Sequence, residues 1–548
     1  MTIRHLLATG VICSVFGATI SAQGEASRES PFILALPAEN IPSLSYLEVY
    51  TTASLIVEAQ LMEGLMRFDL GAGDRPVPNL ALEYYVIDPL IYIFRLRSGI
   101  YFHPFPGGVR QEVTAEDVRF SLDLARGSKS PLASRLQDIT SVSVVGTDLV
   151  QIRLRQPNPH LLAVLATSIA HVTSREYFMG LGHSQASRAA AFAKAPVGTG
   201  PYRLRNSLET GDRAVTLELF SDYRGPDGPP TTDSIKTIHF RLESDVRKIT
   251  SGILKGTVDM ASLPLTAYAE GSDFKGWGNR IVVLQPPFLL LLAINTRSPL
   301  LSSPEVRRVL NAAIQKVQIE KICPSKEQLK DLPLGLKRYM EIPLAYTKAK
   351  TDDQLETLLS DPATSAHIAH LRQAGPLRIL ISRHTDHIGR GIVESVAADL
   401  RSELGLRIEI DLSESISRGA IEAGNYEFAF VEWTPDTPWE KDDLTILGTL
   451  FSAKSELNLS GFEDEQIQQA FGEIRGLRDE TAIQQQYSIV QERLLANAPL
   501  IWLPSVRHRT LFVSESYTAP FIDGSELQPR ASSLVFYTSF MKDVRRKP

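Results

Sequence analysis

The chain has 548 residues, of which 43% are hydrophobic and 22% are charged, and its formal net charge is −6. This length exceeds what one hydrophobic core supports, so two or more domains are expected. The charges are spread along the sequence without a basic stripe, which excludes nucleic acid as an expected partner.

The first predicted element, residues 1–22, has the pattern of a secretory signal peptide. Arg4 precedes an apolar run over residues 6–20, and small residues follow at the end of the segment. We expect cleavage there and export to the periplasm, with an uncleaved N-terminal anchor as the alternative. A lipid anchor on Cys13 is not expected, because Ile12 stands where lipidation requires a small residue.

The next signals are a helix start and a glycine-rich segment. Thr114 and Asp117 have the spacing of a capping box, in which each side chain bonds the backbone N–H of the other, and a helix is predicted to follow. Gly198, Thr199 and Gly200 lie between prolines, and we interpret them as a tight turn. They lack the third glycine and the Lys-Ser/Thr pair of phosphate-binding loops.

A second group of elements predicts an α/β fold. Ser303-Pro304 opens a helix, since proline is favoured at the first helical position. Leu377–Ser382 is a predicted strand, a helix follows over residues 392–400, and the next strand covers residues 406–412. Such a β-α-β unit implies parallel strands covered by a helix. A further helix over residues 483–494 precedes a last apolar strand.

Signatures of catalysis or metal binding are weak. The sequence has neither a Gly-x-Ser-x-Gly elbow nor a His-Glu-x-x-His motif, so no enzyme and no cofactor is predicted. His384 and His387 could hold a metal, but solvated loop histidines are the favoured interpretation because no third ligand is evident. Removal of the signal segment would leave Cys323 alone, which excludes an intrachain disulfide and a cysteine-based metal site.

The segment from residue 431 to residue 439 combines carboxylates with two tryptophans. It reads Val-Glu-Trp-Thr-Pro-Asp-Thr-Pro-Trp and follows the apolar strand Phe-Ala-Phe. A carboxylate beside indole rings can hold an ammonium group, through charge pairing and cation–π contact. A surface loop whose tryptophans pack on the core is an equal alternative.

Several motifs together resemble the periplasmic oligopeptide- and dipeptide-binding proteins, solute-binding protein family five of ATP-binding-cassette importers. The motifs that carry the resemblance lie at residues 61–69 (LMEGLMRFD), 94–103 (FRLRSGIYFH), 113–118 (VTAEDV), 196–202 (PVGTGPY), 255–259 (KGTVD), 295–296 (NT) and 306–310 (VRRVL). Their order and spacing cover most of the chain.

The resemblance implies a two-lobed α/β periplasmic-binding-protein fold of class II, with an extra subdomain and lobes joined by hinge strands. The implied divisions are 1–22 signal peptide, 23–285 lobe I with the extra subdomain, 286–500 lobe II, and 501–548 as the return to lobe I. The implied function is that of a non-catalytic, monomeric receptor that binds short peptides and delivers them to a permease and ATPase complex in the inner membrane.

The resemblance also implies which residues contact ligand. The expected ligand-binding residues are Asp436, Trp433, Thr434, Glu432, Arg383 and Trp439. Asp436 matches the carboxylate that pairs with a peptide ammonium, and Glu432 and Thr434 would offer backbone bonds. Arg383 matches a carboxylate-binding arginine of dipeptide binders, with a solvated side chain as the alternative. Glu432 stands where the family usually has glycine, and Pro435 replaces a small residue, which leaves the peptide ligand less secure than the fold.

Three alternatives remain open. The same fold could bind a nickel chelate, an oligosaccharide or an antibiotic-like peptide. An exported hydrolase would need a nucleophile and base in one cleft. A signalling or chaperone-like module could use the fold without transport.

Overall fold

A computed structural model of the chain describes its architecture. The residues it describes are 30–48, 51–68, 76–107, 110–128, 130–158, 160–209, 211–264, 281–284, 289–315, 353–383, 385, 387–413, 416, 426–433, 447–448, 450–452, 455, 458–474, 477, 479–503, 509–514, 516–518 and 544–546. The predicted signal segment and residues 434–446 lie outside these ranges.

Strands and helices alternate along the described chain. The strands are β1 (Phe32–Leu36), β2 (Glu63–Gly64), β3 (Met66–Phe68), β4 (Pro76–Pro78), β5 (Ala81–Asp88), β6 (Ile91–Leu96), β7 (Ile139–Val144), β8 (Leu149–Leu154), β9 (His171–Val172), β10 (Tyr202–Leu204), β11 (Ala214–Leu219), β12 (Thr237–Leu242), β13 (Met260–Pro264), β14 (Ile281–Leu284), β15 (Leu289–Ile294), β16 (Leu377–Ser382), β17 (Ile408–Ser413), β18 (Phe428–Trp433), β19 (Leu500–Leu503), β20 (Arg509–Val513), β21 (Tyr517–Thr518) and β22 (Arg545–Arg546). The helices are α1 (Thr52–Glu58), α2 (Ala115–Arg126), α3 (Leu161–Val164), α4 (Arg175–Gly180), α5 (Gln185–Lys194), α6 (Val246–Leu254), α7 (Pro304–Ala313), α8 (Asp353–Leu359), α9 (Pro362–Gln373), α10 (His387–Leu404), α11 (Glu465–Ile474) and α12 (Glu480–Asn497), with 3-10 turns at Pro131–Leu136 and Ser168–Ala170.

The first large sheet has the strand order β10-β11-β12-β1-β13-β20-β14. Its central strand β1 is parallel to both β12 and β13. β20, from the C-terminal part of the chain, lies between β13 and β14 and is antiparallel to both. The C-terminal part of the chain therefore completes a sheet that the N-terminal part begins.

The second large sheet has the strand order β17-β16-β18-β15-β19. One of its faces, here called face A, packs against α7, α9 and α10. The opposite face, face B, packs against α11 and α12. Because both faces are covered, the central strands are apolar on both sides, which explains the continuous apolar run of β15.

A smaller sheet of order β5-β6-β8-β7 packs beside the first large sheet. Its inner face contributes Phe94, Val150 and Ile152 to the same hydrophobic core as β1 and β12. The small sheet is therefore an extension of that core. Three two-stranded pairs, β2-β9, β3-β4 and β21-β22, complete the described strands.

The helix starts agree with the sequence predictions. Thr114 and Asp117 form the predicted capping box of α2, and Ser303 caps α7 with proline at its first position. The β-α-β unit is confirmed, with β16 parallel to β17 and Gly405 in the left-handed region after α10. These local signals were readable because each depends on residues close in sequence.

One predicted boundary was wrong. The strand predicted at residues 428–430 continues to Trp433 as β18. The reason is tertiary: β15 pairs with β18 along its whole length, from Ile294 with Phe428 to Leu289 with Trp433. Glu432 and Trp433 are therefore strand residues.

Candidate functional site

The chain passes between the two large sheets twice. It leaves the first sheet after Leu284 and enters the second at Leu289, then leaves the second after Leu503 and returns at Arg509. Leu284 pairs with Arg509 in the first sheet. Each connection is so short that it spans at most about 20 Å. The two sheets therefore lie close together along the edges that carry these four strand ends.

The edge of the second sheet at these crossings is also the carboxyl edge of its parallel strands. Trp433, the last residue of β18, pairs with Leu289, where the chain enters the sheet. β16 runs parallel to β18 and ends at the same edge. Ligands of open α/β sheets bind outside the carboxyl ends of strands. This edge is the candidate site.

β16 and β18 form a switch point within that edge. After β16 the chain continues into α10 on face A, whereas after β18 it packs Leu447, Leu450 and Phe451 on face B. In the part of the chain that the structure describes, the two strands are paired at Ile379 with Phe428 and at Leu380 with Ala429. Beyond these pairs the carboxyl ends of the two strands lie next to each other, and such a switch point is where ligands of open α/β sheets commonly bind.

Three of the six predicted ligand-binding residues lie in described parts of this edge. Arg383 directly follows β16, and Glu432 and Trp433 end β18. The structure thus places Arg383 just after the end of β16 and Glu432 at the end of the neighbouring strand β18. The predicted residues Thr434, Asp436 and Trp439 lie outside the described residues, as does His384.

The backbone around Arg383 is fixed on both sides. Its N–H donates to the Ser413 carbonyl over 2.7 Å, which extends the pairing of β16 with β17 by one residue. The Arg390 guanidinium donates to the carbonyls of Arg383, over 2.8 Å, and Thr385, over 3.0 Å. The side chain of Arg383 itself is exposed.

Sequence reasoning missed Arg390. It lies in the first turn of α10, so it can reach back to the loop that joins β16 to this helix. An arginine shortly after a predicted strand and loop is the only available signal, and it is a weak one. Its role in the described structure is to hold the loop that presents Arg383.

The glycine-rich segment near residue 200 is held by hydrogen bonds to residues distant in sequence, an arrangement here called the clasp. The Thr199 hydroxyl donates to the Glu63 carboxylate over 2.8 Å, and the Tyr223 hydroxyl donates to the same carboxylate over 3.1 Å. The N–H of Gly200 donates to the Leu61 carbonyl over 2.9 Å. These bonds run to residues distant in sequence, so the segment connects parts of the chain that the prediction of a tight turn did not include.

A buried histidine completes this clasp. The backbone N–H of His103 donates to the Gly198 carbonyl over 2.8 Å. The ring Nε2 of His103 lies 2.9 Å from the Gly200 carbonyl oxygen. A carbonyl only accepts, so Nε2 carries the proton. Burial lowers the pKa of His103 to about 4, with a further lowering by the Arg203 charge and an opposing effect of the Gly200 bond. His103 is therefore neutral at pH 7.

A second buried histidine pairs with a carboxylate in the same core. His171 Nδ1 lies 2.6 Å from Glu58 Oε1, and both residues are buried. Burial raises the pKa of Glu58, while the charge and hydrogen bond of His171 act in the opposite direction. The pair lies among core residues of the first sheet.

The described residues contain no cluster of three or more histidine, cysteine or acidic side chains with the geometry of a metal site. Among the described helices, none has the length and apolar character that a membrane span requires.

Residues 75–454, more than half of the chain, match the model of a family described as bacterial extracellular solute-binding proteins, family 5 Middle. The chain belongs to this family. It is 24% identical to a protein named probable di/tripeptide-binding protein 5 of Pseudomonas aeruginosa, over 91% of this chain and 96% of that protein.

Solved structures share the fold over nearly the whole chain. A periplasmic binding protein of Helicobacter pylori, DppA, in complex with the peptide STSA, matches with a TM-score of 0.72 and 20% identity, over 95% of this chain and 98% of that one. AgaA of A. tumefaciens R10, in complex with agropinic acid, matches with a TM-score of 0.71 and 18% identity, over 95% and 99%. The predicted two-lobed periplasmic-binding-protein fold is confirmed, and the chain is a solute-binding protein.

Proposed function

We propose that this solute-binding protein is a non-catalytic receptor that takes up short peptides between two lobes and delivers them to the permease of an ATP-binding-cassette importer. The observation that carries the proposal is the switch point between β16 and β18, at the sheet edge where the chain crosses between lobes. Relatives named for di- and tripeptide binding support peptides as the ligand class.

The proposed lobes follow the two large sheets. Lobe I comprises residues 23–285 together with 501–548, and lobe II comprises residues 286–500. The pairing of β20 between β13 and β14 supports the return of the C-terminal part to lobe I. Because β19 pairs with β15 in the second sheet, we place residues 501–503 with lobe II, so that the return to lobe I begins after Leu503 instead of after residue 500.

The proposed anchor for the peptide ammonium is Asp436, three residues beyond the end of β18. A charge that is buried in a closed cleft needs a countercharge, and a carboxylate supplies it. Trp433 and Trp439 would flank the ammonium with indole rings. Glu432 and Thr434 would pair their backbone groups with an extended peptide.

The proposed cellular context follows from the family. A signal segment at residues 1–22 would direct the chain to the periplasm, where the closed, ligand-bound monomer would be recognised by the permease and ATPase complex. Closure on ligand would be a hinge motion at the two crossings.

A second candidate function keeps the fold and changes the solute. AgaA binds agropinic acid, which is not a peptide, and nickel chelates or oligosaccharides belong to the same set of alternatives. Glu432 and Pro435 depart from the pattern of peptide binders in the segment that would contact the ligand. This departure is the specific observation that favours a non-peptide solute.

Native mass spectrometry of protein purified from its own periplasm separates the two candidates. Release of a distribution of masses that match short peptides would support the peptide receptor. A single non-peptide mass would replace it with the second candidate.

The anchor is tested with trialanine and N-acetyl-trialanine. We expect Asp436→Asn to weaken trialanine binding at least about tenfold, because the lost contact joins two charges. Acetylation of the ligand should weaken binding to the wild type similarly and leave the variant almost unaffected. Asp148→Asn, which alters an exposed carboxylate of the small sheet, is the matched control. Equal affinity of wild type and Asp436→Asn for trialanine would refute the anchor.

A further inference from the structure

A cavity of about 420 Å³ opens at the edge of the second sheet that lies opposite to the chain crossings. β15 begins at the crossing edge with Leu289, and the chain reaches the cavity at Thr296, two residues beyond the end of this strand. The strand alone is about 17 Å long at the usual rise per residue. The cavity is therefore separate from the candidate solute site, although both lie on the second sheet.

Arg307, in the first turn of α7, lines the cavity with a guanidinium that has unused hydrogen-bond donors. Its Nε donates to the Asn497 carbonyl, and its Nη1 donates to the carbonyls of Leu301 and Ser302. Within the described ranges Nη2 makes no hydrogen bond, and the guanidinium forms no ion pair. The residue is 2% exposed, and burial lowers the pKa of Arg307. Two N–H groups of a buried cation therefore remain for a group that enters the cavity.

Arg297 places a second guanidinium at the mouth of the same cavity. Its side chain is 44% exposed, and it packs over Gly461, where a Cβ would lie 2.9 Å from the arginine Nε and 3.1 Å from its Cδ. Its Nη2 donates to Glu463 over 2.9 Å. Nε and Nη1 make no hydrogen bond to any residue that the structure describes, so Arg297 also has donors that can bind a ligand.

The charged side chains that line the cavity sum to a positive charge. Arg297 and Arg307 are cationic and Glu463 is anionic. The charge of Glu305 also acts on Arg307, but the ion-pair partner of Glu305 is Arg308, over 3.0 Å. The first turn of α7 and the last residue of α12 meet at the cavity, and these helix ends carry opposite partial charges of about half a unit, which cancel. An anion is therefore the group that balances the charge of this cavity.

We propose that the cavity is a binding site for a small oxyanion, held by Nη2 of Arg307 and by the donors of Arg297. A carboxylate, a sulfate or a phosphate presents two oxygens that match the planar fork of a guanidinium. The bound anion joins α7, the end of β15 and the loop before α11, and so stabilises the second lobe. The inference is independent of which solute the protein carries, because the cavity lies at the other edge of the sheet.

The experiment measures urea unfolding of the wild type at increasing concentrations of sulfate, phosphate or acetate, with sodium chloride added to keep the ionic strength constant. An anion that binds the folded protein alone raises the free energy of unfolding along a curve that yields its dissociation constant. We expect at least one of the three anions to follow such a curve. Sulfate and phosphate also stabilise proteins that have no site for them, so each anion is compared between wild type and variants under identical conditions.

Two substitutions at the mouth of the cavity should change the affinity in opposite directions. Arg297→Gln removes a cation and its donors, and should raise the dissociation constant at least about fivefold. Glu463→Gln removes the repelling charge and leaves Nη2 of Arg297 for the anion, so it should lower the dissociation constant at least about threefold. Arg95→Gln is the matched control, because Arg95 is also 44% exposed and paired with a glutamate, but in the small sheet. It should bind the anion as the wild type does.

The three anions also identify the source of the ligand. A curve for sulfate or phosphate alone would support an inorganic oxyanion, and one for acetate alone would support a carboxylate. If wild type, Arg297→Gln and Glu463→Gln gain the same stability from every anion, the anions act without this site and the inference is refuted. Weaker binding in Glu463→Gln than in the wild type would also refute it, since the anion would then not lie beside that carboxylate.

Discussion

Gly198 and Gly200 are required by the close approach of another segment. A Cβ on Gly198 would lie 2.9 Å from the Met62 Cα, and one on Gly200 would lie 2.7 Å from the Leu61 carbonyl carbon. Real side chains do not tolerate such contacts with backbone. The two glycines therefore allow residues 196–202 to pack directly against the segment that precedes β2.

His103 should make stability depend on pH. Its folded pKa is lowered from 6.5 to about 4 by burial, so the fold favours the neutral ring. The stability that this residue contributes is fully present above pH 6.5 and is lost as pH falls toward about 4. The full difference is about 3 kcal/mol, because each pKa unit corresponds to about 1.4 kcal/mol.

The measurement for His103 is chemical denaturation of wild type and His103→Gln between pH 7 and pH 4. A glutamine amide can also donate to the Gly200 carbonyl but does not titrate, so the variant should lose less stability over this range. His183→Gln, at an exposed position, should follow the wild type. Parallel curves for wild type and His103→Gln would contradict the prediction.

For single residues, the sequence identified candidates for the site better than it identified the residues to which they are hydrogen-bonded. The segment 431–439 was singled out from its residues and Arg383 from the family resemblance, and the described members lie at one edge of one sheet. The bonds of Arg390 to the carbonyls of Arg383 and Thr385 were not predictable, because the conformation of the loop decides them. The same holds for His103 and Gly200, whose contact joins positions far apart in sequence.

Arg307 joins several elements of the second lobe through backbone carbonyls. Its guanidinium donates to the carbonyl of Asn497 at the end of α12 over 2.8 Å. It also donates to the carbonyls of Leu301 and Ser302, just before α7, over 2.8 and 2.7 Å. The residue is 2% exposed. One side chain therefore ties α7, its preceding loop and the C-terminus of α12.

Arg307→Lys should destabilise the protein although it retains the positive charge. A lysine ammonium cannot reproduce the planar fork that serves these three carbonyls, and each buried acceptor left without a donor costs about 1–3 kcal/mol. Arg308→Lys is the matched control, because Arg308 is the next residue and forms a partly exposed ion pair with Glu305. It should change stability by less than about 1 kcal/mol.

Urea unfolding monitored by circular dichroism measures both arginine variants. The expected result is a lower midpoint for Arg307→Lys with an unchanged slope, which indicates lost stability without altered compactness. Equal midpoints for the two variants would show that the bonds of Arg307 contribute nothing specific.

Most of the singled-out helices and strands could be predicted from the sequence. Capping signals at Thr114 and Ser303 gave the starts of α2 and α7, and the β-α-β unit gave a parallel pair. The residue at which β18 ends could not be predicted from the sequence, because pairing with β15 holds the last residues of β18 in the strand.

The order of strands in the two large sheets is a property of the whole chain. Sequence periodicity predicted two or more α/β lobes, and the family resemblance implied divisions between the lobes after residues 285 and 500. The structure has the first crossing after Leu284 and the second after Leu503. Pairing between distant segments, such as β20 with β13, leaves no local pattern in the sequence and had to come from the structure.

Binding of a peptide should make the whole molecule more compact and more stable. If the ligand binds between the lobes, it contacts both in the closed form and one in the open form, so it shifts the equilibrium toward closure. Small-angle X-ray scattering should then give a smaller radius of gyration with saturating trialanine than without it. Stability against unfolding should rise by about 2.7 kcal/mol when the free ligand is 100 times its dissociation constant.

The same two measurements on Asp436→Asn separate closure from nonspecific effects of the peptide. At one fixed trialanine concentration the variant should remain more open and gain less stability, and at higher concentrations it should reach the wild-type values if only affinity is changed. Trialanine that stabilises the wild type without reducing its radius of gyration would place the ligand on a single lobe. That result would contradict binding between the lobes, because a ligand with equal affinity for the open and closed forms cannot shift their populations.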